Sequence, residues 1–102
     1  MIHIVCTFIV KKGKMEEYMA LSKKLRGHVL LEKGCVEYSF AREYKSSIAI
    51  QEEVNPDRVT LIEKWETAED LAAHGEAPHM KEIGPGLRAL RDSATARVMT
   101  TA

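Results

Sequence analysis

The residues best suited to chemistry lie between positions 59 and 80, in the stretch VTLIEKWETAEDLAAHGEAPHM. It holds the only tryptophan, Trp65, two of the four histidines, His74 and His79, and the carboxylate Glu63. Residues 59–66 alternate as a half-buried strand does, so Val59, Leu61, Glu63 and Trp65 share one face and Thr60, Ile62 and Lys64 the other. Glu63 therefore points with an indole into an apolar surface. A carboxylate there must find a partner or take up a proton. Thr67 is suited to cap a helix, with Asp70 three residues on; Gly75 stops that helix and Pro78 opens the next. His74 closes the first helix and His79 starts the second, so both rings can turn toward the Trp65 face. At a helix start the local dipole disfavours a cation, so His79 is expected as the neutral imidazole that a general base needs. The ordinary alternatives are a structural Trp65, a salt-bridged Glu63 and histidines that only cap or pack.

The rest of the chain must position these groups. Ile2–Val10 reads as a strand with Ile2, Ile4, Cys6, Phe8 and Val10 on one face. Gly13 marks a turn. From Lys14 to about Lys33 the period is helical, with Met15, Tyr18, Leu21, Ser22, Leu25 and Val29 inward and Gly34 as the cap. Cys35–Glu43 is a second strand carrying Val36, Tyr38 and Phe40 on one face. The region from Tyr44 to Arg58 reads as a strand extension plus a loop, closed by the turn Asn55-Pro56-Asp57. After Ala77 a helix is expected to about Asp92, with Met80, Ile83, Leu87 and Leu90 inward and a kink or break at Gly84-Pro85-Gly86. Ala94–Thr100 is the last strand. The order strand, helix, strand, strand, helices, strand predicts one α+β domain over residues 1–102, a ferredoxin-like βαββαβ antiparallel sheet in the order 4-1-3-2 with helices on one face. Cys6 and Cys35 then lie on strands separated by a third, too far apart for a disulfide.

Composition narrows the classes. The 102 residues carry fifteen acidic and fifteen basic side chains, a formal net charge of zero, which gives no electrostatic case for nucleic acid or an anionic membrane. The apolar runs are too short to span a bilayer, and no charged segment makes Ile2–Val10 a secretion signal. Two unpaired cysteines and five methionines suit a reducing cytoplasm. His74, His79 and a glutamate could bind zinc or iron, but the spacing matches no ligand motif. No glycine-rich phosphate loop is present for a flavin or nicotinamide.

The pattern Glu63-Lys64-Trp65, then a short helix, then His74 and Pro78-His79, resembles the signature of the antibiotic biosynthesis monooxygenase domain, the quinol monooxygenase-like family. Two further pieces fit: a first strand followed by Gly13-Lys14 and an amphipathic helix, and Gly34-Cys35-Val36-Glu37-Tyr38 opening the second strand. The resemblance implies a dimeric α+β barrel. It also implies a pocket between sheet and helices, here lined by Tyr38, Phe40, Glu63, Trp65, His74, His79, Met80 and Ile83. A homodimer agrees with the open sheet face, where Val5, Ile9 and Ile62 stand among Thr7, Thr60 and Lys64. The activity implied is oxygenation of a small aromatic quinol or polyphenol by dioxygen, without cofactor or metal. His79 or His74 would be the base, Glu63 the orienting group, and Trp65 with Tyr38 the aromatic walls. Haem-degrading relatives place their iron-binding histidine about ten residues beyond the position of His74. That position falls near Gly84 here, with no histidine close by. The first rival is an isomerase or degrading enzyme for a small phosphorylated carbonyl compound, resembling the autoinducer-2-processing relatives through Pro78, His79 and Lys81. The second is a non-catalytic small-molecule-binding dimer.

Overall fold

The computed structural model describes all 102 residues. The elements run β1 (Ile2–Val10), α1 (Met15–Val29), β2 (Cys35–Arg42), β3 (Arg58–Trp65), α2 (Ala68–Gly75), α3 (Pro78–Ala89) and β4 (Arg91–Thr100). The four strands form one sheet in the order β2-β3-β1-β4, every neighbouring pair antiparallel. This is the ferredoxin-like arrangement the periodicities predict. Cys6 and Cys35 are both free thiols, with β3 between their strands.

The alternation read in β3 is exact in burial: Val59, Leu61, Glu63 and Trp65 are buried, and the residues between them half-buried. Val59, Leu61 and Trp65 meet Ile4, Phe8 and Val10 of β1 and Tyr18, Leu25 and Val29 of α1 in a single core. Ile83 and Leu87 of α3 complete it. Thr67 caps α2, its Oγ1 accepting the Asp70 N–H at 3.0 Å, and Pro78 is the first residue of α3.

Several local expectations are corrected. Helix α1 ends at Val29 rather than near Lys33, because the chain turns over residues 30–34 to reach β2. Gly34 is the residue with positive φ, +80°, at the end of that turn. A Cβ there would collide with the Asp70 carboxylate, so only glycine lets the turn lie against α2. Val36 leaves the Tyr38 face, since a register shift between Cys35 and Glu37 puts it outward and Cys35 against the core. Residues 43–57 form a loop with no strand extension, and Tyr44, Ile48 and Ile50 are exposed. It is held by side chains: Gln51 Nε2 donates to the Tyr44 carbonyl at 2.8 Å, and Glu43 accepts from Arg58 Nη1 at 2.9 Å and from the Asn55 N–H at 2.7 Å. Helix α3 runs unbroken through Pro85 and ends at Ala89, so β4 begins at Arg91, three residues earlier than expected. Gly86 allows α3 to lie close to α1, since a Cβ there would sit 2.9 Å from Leu21 Cδ2.

The face of the sheet away from the helices is uncovered in the single chain. It carries Val5, Ile9, Ile62 and Met99, all half-buried, among Thr7, Thr60, Lys64 and Arg97. No helix is long and apolar enough to cross a membrane.

Candidate active site

A cavity of about 180 Å³ lies between the helix-side face of the sheet and the three helices. Strand residues Cys6, Phe8, Tyr38, Phe40 and Glu63 form its floor, and His74 of α2 and Met80 of α3 close over it. The lining is mostly apolar with few polar groups, the character of a small-molecule site.

Glu63 is the polar centre of one end. It is 5 % exposed, as the strand alternation requires, and it has partners. Trp65, two residues along the same face, donates Nε1–H to Glu63 Oε1 at 3.0 Å. The Cys6 thiol points at Oε2 from 3.8 Å. His74 Nε2 lies 3.8 Å from Oε1, too far for a direct hydrogen bond. The imidazole of His74 is clamped between rings, 4.7 Å from the Trp65 ring and 5.5 Å from that of Tyr38, centroid to centroid.

The opposite nitrogen of His74 is fixed by a residue that no periodicity marks. Glu32, in the turn after α1, accepts from His74 Nδ1 at 2.9 Å and from His79 Nε2 at 2.7 Å on a single oxygen, Oε2. A carboxylate oxygen only accepts, so both nitrogens carry hydrogen. In a neutral His74 ring the lone pair is then on Nε2, which faces Glu63. This is the carboxylate–imidazole pairing that orients a general base. His79 stacks on His28 with centroids 5.4 Å apart.

Burial perturbs the other acids of the site. Burial first, and the Glu63 charge second, push the Cys6 thiol up to about 11. The same two causes hold the Tyr38 hydroxyl well above the usual phenol range. Burial also raises Tyr18, against the lowering influence of Arg91.

The expected residues thus divide. Glu63, His74, Tyr38, Phe40 and Met80 line the cavity. Trp65 does not: it is wholly buried behind Glu63 and His74 and acts on the cavity through its bond to Glu63. His79 also lies outside the lining, joined to the site through Glu32, and Ile83 is core. Lys81, one of the three residues behind the phosphorylated-carbonyl reading, is exposed and paired with Glu76 at 3.1 Å. Sequence reasoning missed Glu32, Cys6, Arg88 and Arg91. Cys6 was legible as an inward position of β1, whereas Glu32 is brought in only by the tertiary turn.

Glu32, His74 and His79 are also the donor set that could hold a divalent metal, their ligand atoms lying within 4.8 Å of one another. That spread is wider than the separation of about 3.4 Å between ligands placed about 2.1 Å from a tetrahedral zinc. The two short bonds to Glu32 Oε2 describe a hydrogen-bonded bridge.

Comparison with known proteins identifies the family and the fold. The sequence profile described as "Antibiotic biosynthesis monooxygenase" matches residues 1–84. The chain belongs to the antibiotic biosynthesis monooxygenase family. Among its relatives is the Escherichia coli (strain K12) protein described as "Probable quinol monooxygenase YgiN", 29 % identical over 90 residues that cover 86 % of each chain. A crystal structure of a conserved protein from Methanosarcina mazei Go1 superposes with a TM-score of 0.86 at 29 % identity, covering 99 % of this chain and 92 % of that one. A crystal structure described as an antibiotic biosynthesis monooxygenase superposes with a TM-score of 0.84 over all of this chain and 99 % of its own. At 18 % identity it speaks for the fold alone.

Proposed function

We propose that this member of the family is a cofactor-independent monooxygenase acting on a small quinol. The observation that carries the reading is His74: a cavity-lining imidazole with Nδ1 held by Glu32 and Nε2 free to take a proton. The volume agrees, since a cavity of about 150 Å³ holds a benzene ring and this one is about 180 Å³. His74 Nε2 removes a phenolic proton, and Glu63 holds a hydroxyl of the same ring by hydrogen bonding. Tyr38, Phe40 and Met80 position the ring and exclude water. The electron-rich phenolate then adds dioxygen at a ring carbon. Cleavage of the O–O bond leaves one oxygen on the ring and releases the other as water. Quinol plus dioxygen thus gives hydroxyquinone plus water, with the substrate supplying all the electrons. His79 acts through Glu32 as a positioning residue, and Trp65 holds Glu63.

The working form is a homodimer. Its two sheets pack through the open face, burying Val5, Ile9, Ile62 and Met99, in a reducing cytoplasm where Cys6 and Cys35 stay free. Sedimentation at micromolar concentration gives a dimer, and Ile62→Lys shifts it toward monomer.

Oxygen consumption with a panel of quinols and no added cofactor tests the activity. Uptake with at least one quinol is expected, and His74→Ala lowers kcat by about 10²-fold or more, the usual contribution of a positioned base. Absence of uptake with every quinol, or an unchanged rate in His74→Ala, overturns the reading. Anaerobic turnover of a phosphorylated carbonyl compound would replace it with the isomerase.

A further inference from the structure

The cavity has a second polar end that the proposed chemistry leaves unused. Arg88, in the last turn of α3, and Arg91, the first residue of β4, both contribute to its lining. Their backbone positions lie toward the Phe8 end of the cavity rather than beside Glu63. Arg91 stacks over the Phe8 ring at 4.3 Å, whereas Glu63 pairs across the sheet with Ile4. Four residues of strand separate those positions, about 13 Å.

Neither arginine forms an ion pair with any carboxylate of the chain. The only hydrogen bond from either guanidinium is a long one, Arg91 Nη1 to the Tyr18 hydroxyl at 3.4 Å. Stacking on Phe8 occupies a face of the Arg91 guanidinium and leaves its N–H edges free. Gly84, buried one turn before Arg88, makes room for the other: a Cβ there would stand 3.2 Å from Arg88 Nη1. A helix C-terminus favours a cation and accounts for the sign of Arg88. It does not account for Arg91, which lies outside the helix, or for both guanidiniums bordering one mostly apolar cavity.

Resting on the quinol reading above, we propose that the substrate is a single-ring quinol bearing a carboxylate. Its hydroxyl lies against His74 and Glu63, and its carboxylate between Arg88 and Arg91. Unpaired guanidinium forks match a planar carboxylate in two-point geometry. The volume of about 180 Å³ suits a single ring with short substituents. The two arginines set specificity, and the chemistry stays at the other end.

Calorimetric titration of the full chain without oxygen tests this, using 2,5-dihydroxybenzoate and its neutral isostere 2,5-dihydroxybenzamide. The carboxylate is expected to bind at least tenfold more tightly. Arg88→Met and Arg91→Met each reduce that preference several-fold, and the double variant abolishes it. Arg91→Lys keeps the charge without the fork and recovers only part. Thermal melts identify any variant that fails to fold; Arg88 is exposed, so Arg88→Met gives the result should Arg91→Met unfold. Equal affinity of the wild-type chain for acid and amide, or a preference that survives the double variant, overturns the proposal. The same pair in oxygen-uptake assays separates the two claims. Equal kcat/KM for acid and amide sinks the carboxylate site and leaves the monooxygenase standing. Tight, arginine-dependent binding without any uptake does the reverse.

Discussion

At one end of the cavity the polar side chains hold one another: Trp65 binds Glu63, Glu32 binds both His74 and His79, and the His74 ring is clamped by Trp65 and Tyr38. At the other end Arg88 and Arg91 have no acidic partner. On the reading proposed above, the difference separates two kinds of work. Groups that move protons need fixed orientation and a low-dielectric setting, so their hydrogen bonds are made within the protein. Groups that recognise a charged ligand keep their donors for it. Burial follows the same division, with Glu63 and His74 buried and Arg88 at the surface.

Substitutions at the bonded end carry the largest effects. Glu32→Gln removes the charge that orients His74 and is expected to lower kcat by about 10²-fold with little change in KM. A rate within threefold of wild type would mean that Glu32 serves only the fold. Trp65→Phe keeps most of the packing but leaves Glu63 without its indole donor, so urea unfolding should show a loss of about 1–3 kcal/mol. Gly34→Ala forces a side chain into positive φ and against Asp70, costing about 1 kcal/mol or more. Because that turn carries Glu32, kcat should fall in the same variant; a destabilised but fully active protein would uncouple the turn from the site.

A smaller effect reports the Glu63 charge. In a Cys35→Ser background, Cys6 should alkylate with an apparent pKa of about 11. Burial is the main cause and Glu63 the next, and both disfavour the thiolate. Glu63→Gln removes the second cause, lowers the pKa and speeds labelling at fixed pH. An unchanged rate would mean that the carboxylate carries no charge beside the thiol. The smallest effect is expected outside the cavity: Lys81→Ala breaks only an exposed pair with Glu76, and turnover should stay within twofold.

Much of this was legible in the sequence, for identifiable reasons. The strict alternation of Val59, Leu61, Glu63 and Trp65 placed a carboxylate beside an indole because strand periodicity allows only one register to bury the apolar set. Thr67, Gly75 and Pro78 marked helix boundaries through local backbone chemistry, and these need no tertiary information. Glu32 was hidden because the helical reading ran on to about Lys33, and only the fold shows that the chain turns after Val29. Arg88 and Arg91 look like an ordinary charged helix end until the cavity appears beside them. The loop over residues 43–57 misled because Ile48, Ile50 and Val54 carry strand-like composition. Side-chain bonds from Gln51 and Glu43 hold it instead of a sheet partner. At Pro85 only the break is ruled out: α3 is a single helix across the missing donor.

The central claim is that His74 takes a proton from a phenol bound in the cavity, and anaerobic binding of 4-nitrocatechol measures this most directly. The phenolate of this chromophore absorbs at longer wavelength than the phenol. At a pH where the free compound is mostly protonated, the phenolate band should grow on binding to the wild-type chain and not on binding to His74→Ala. A bound ligand that stays protonated in the wild type, or that ionises equally in both proteins, would contradict the assignment.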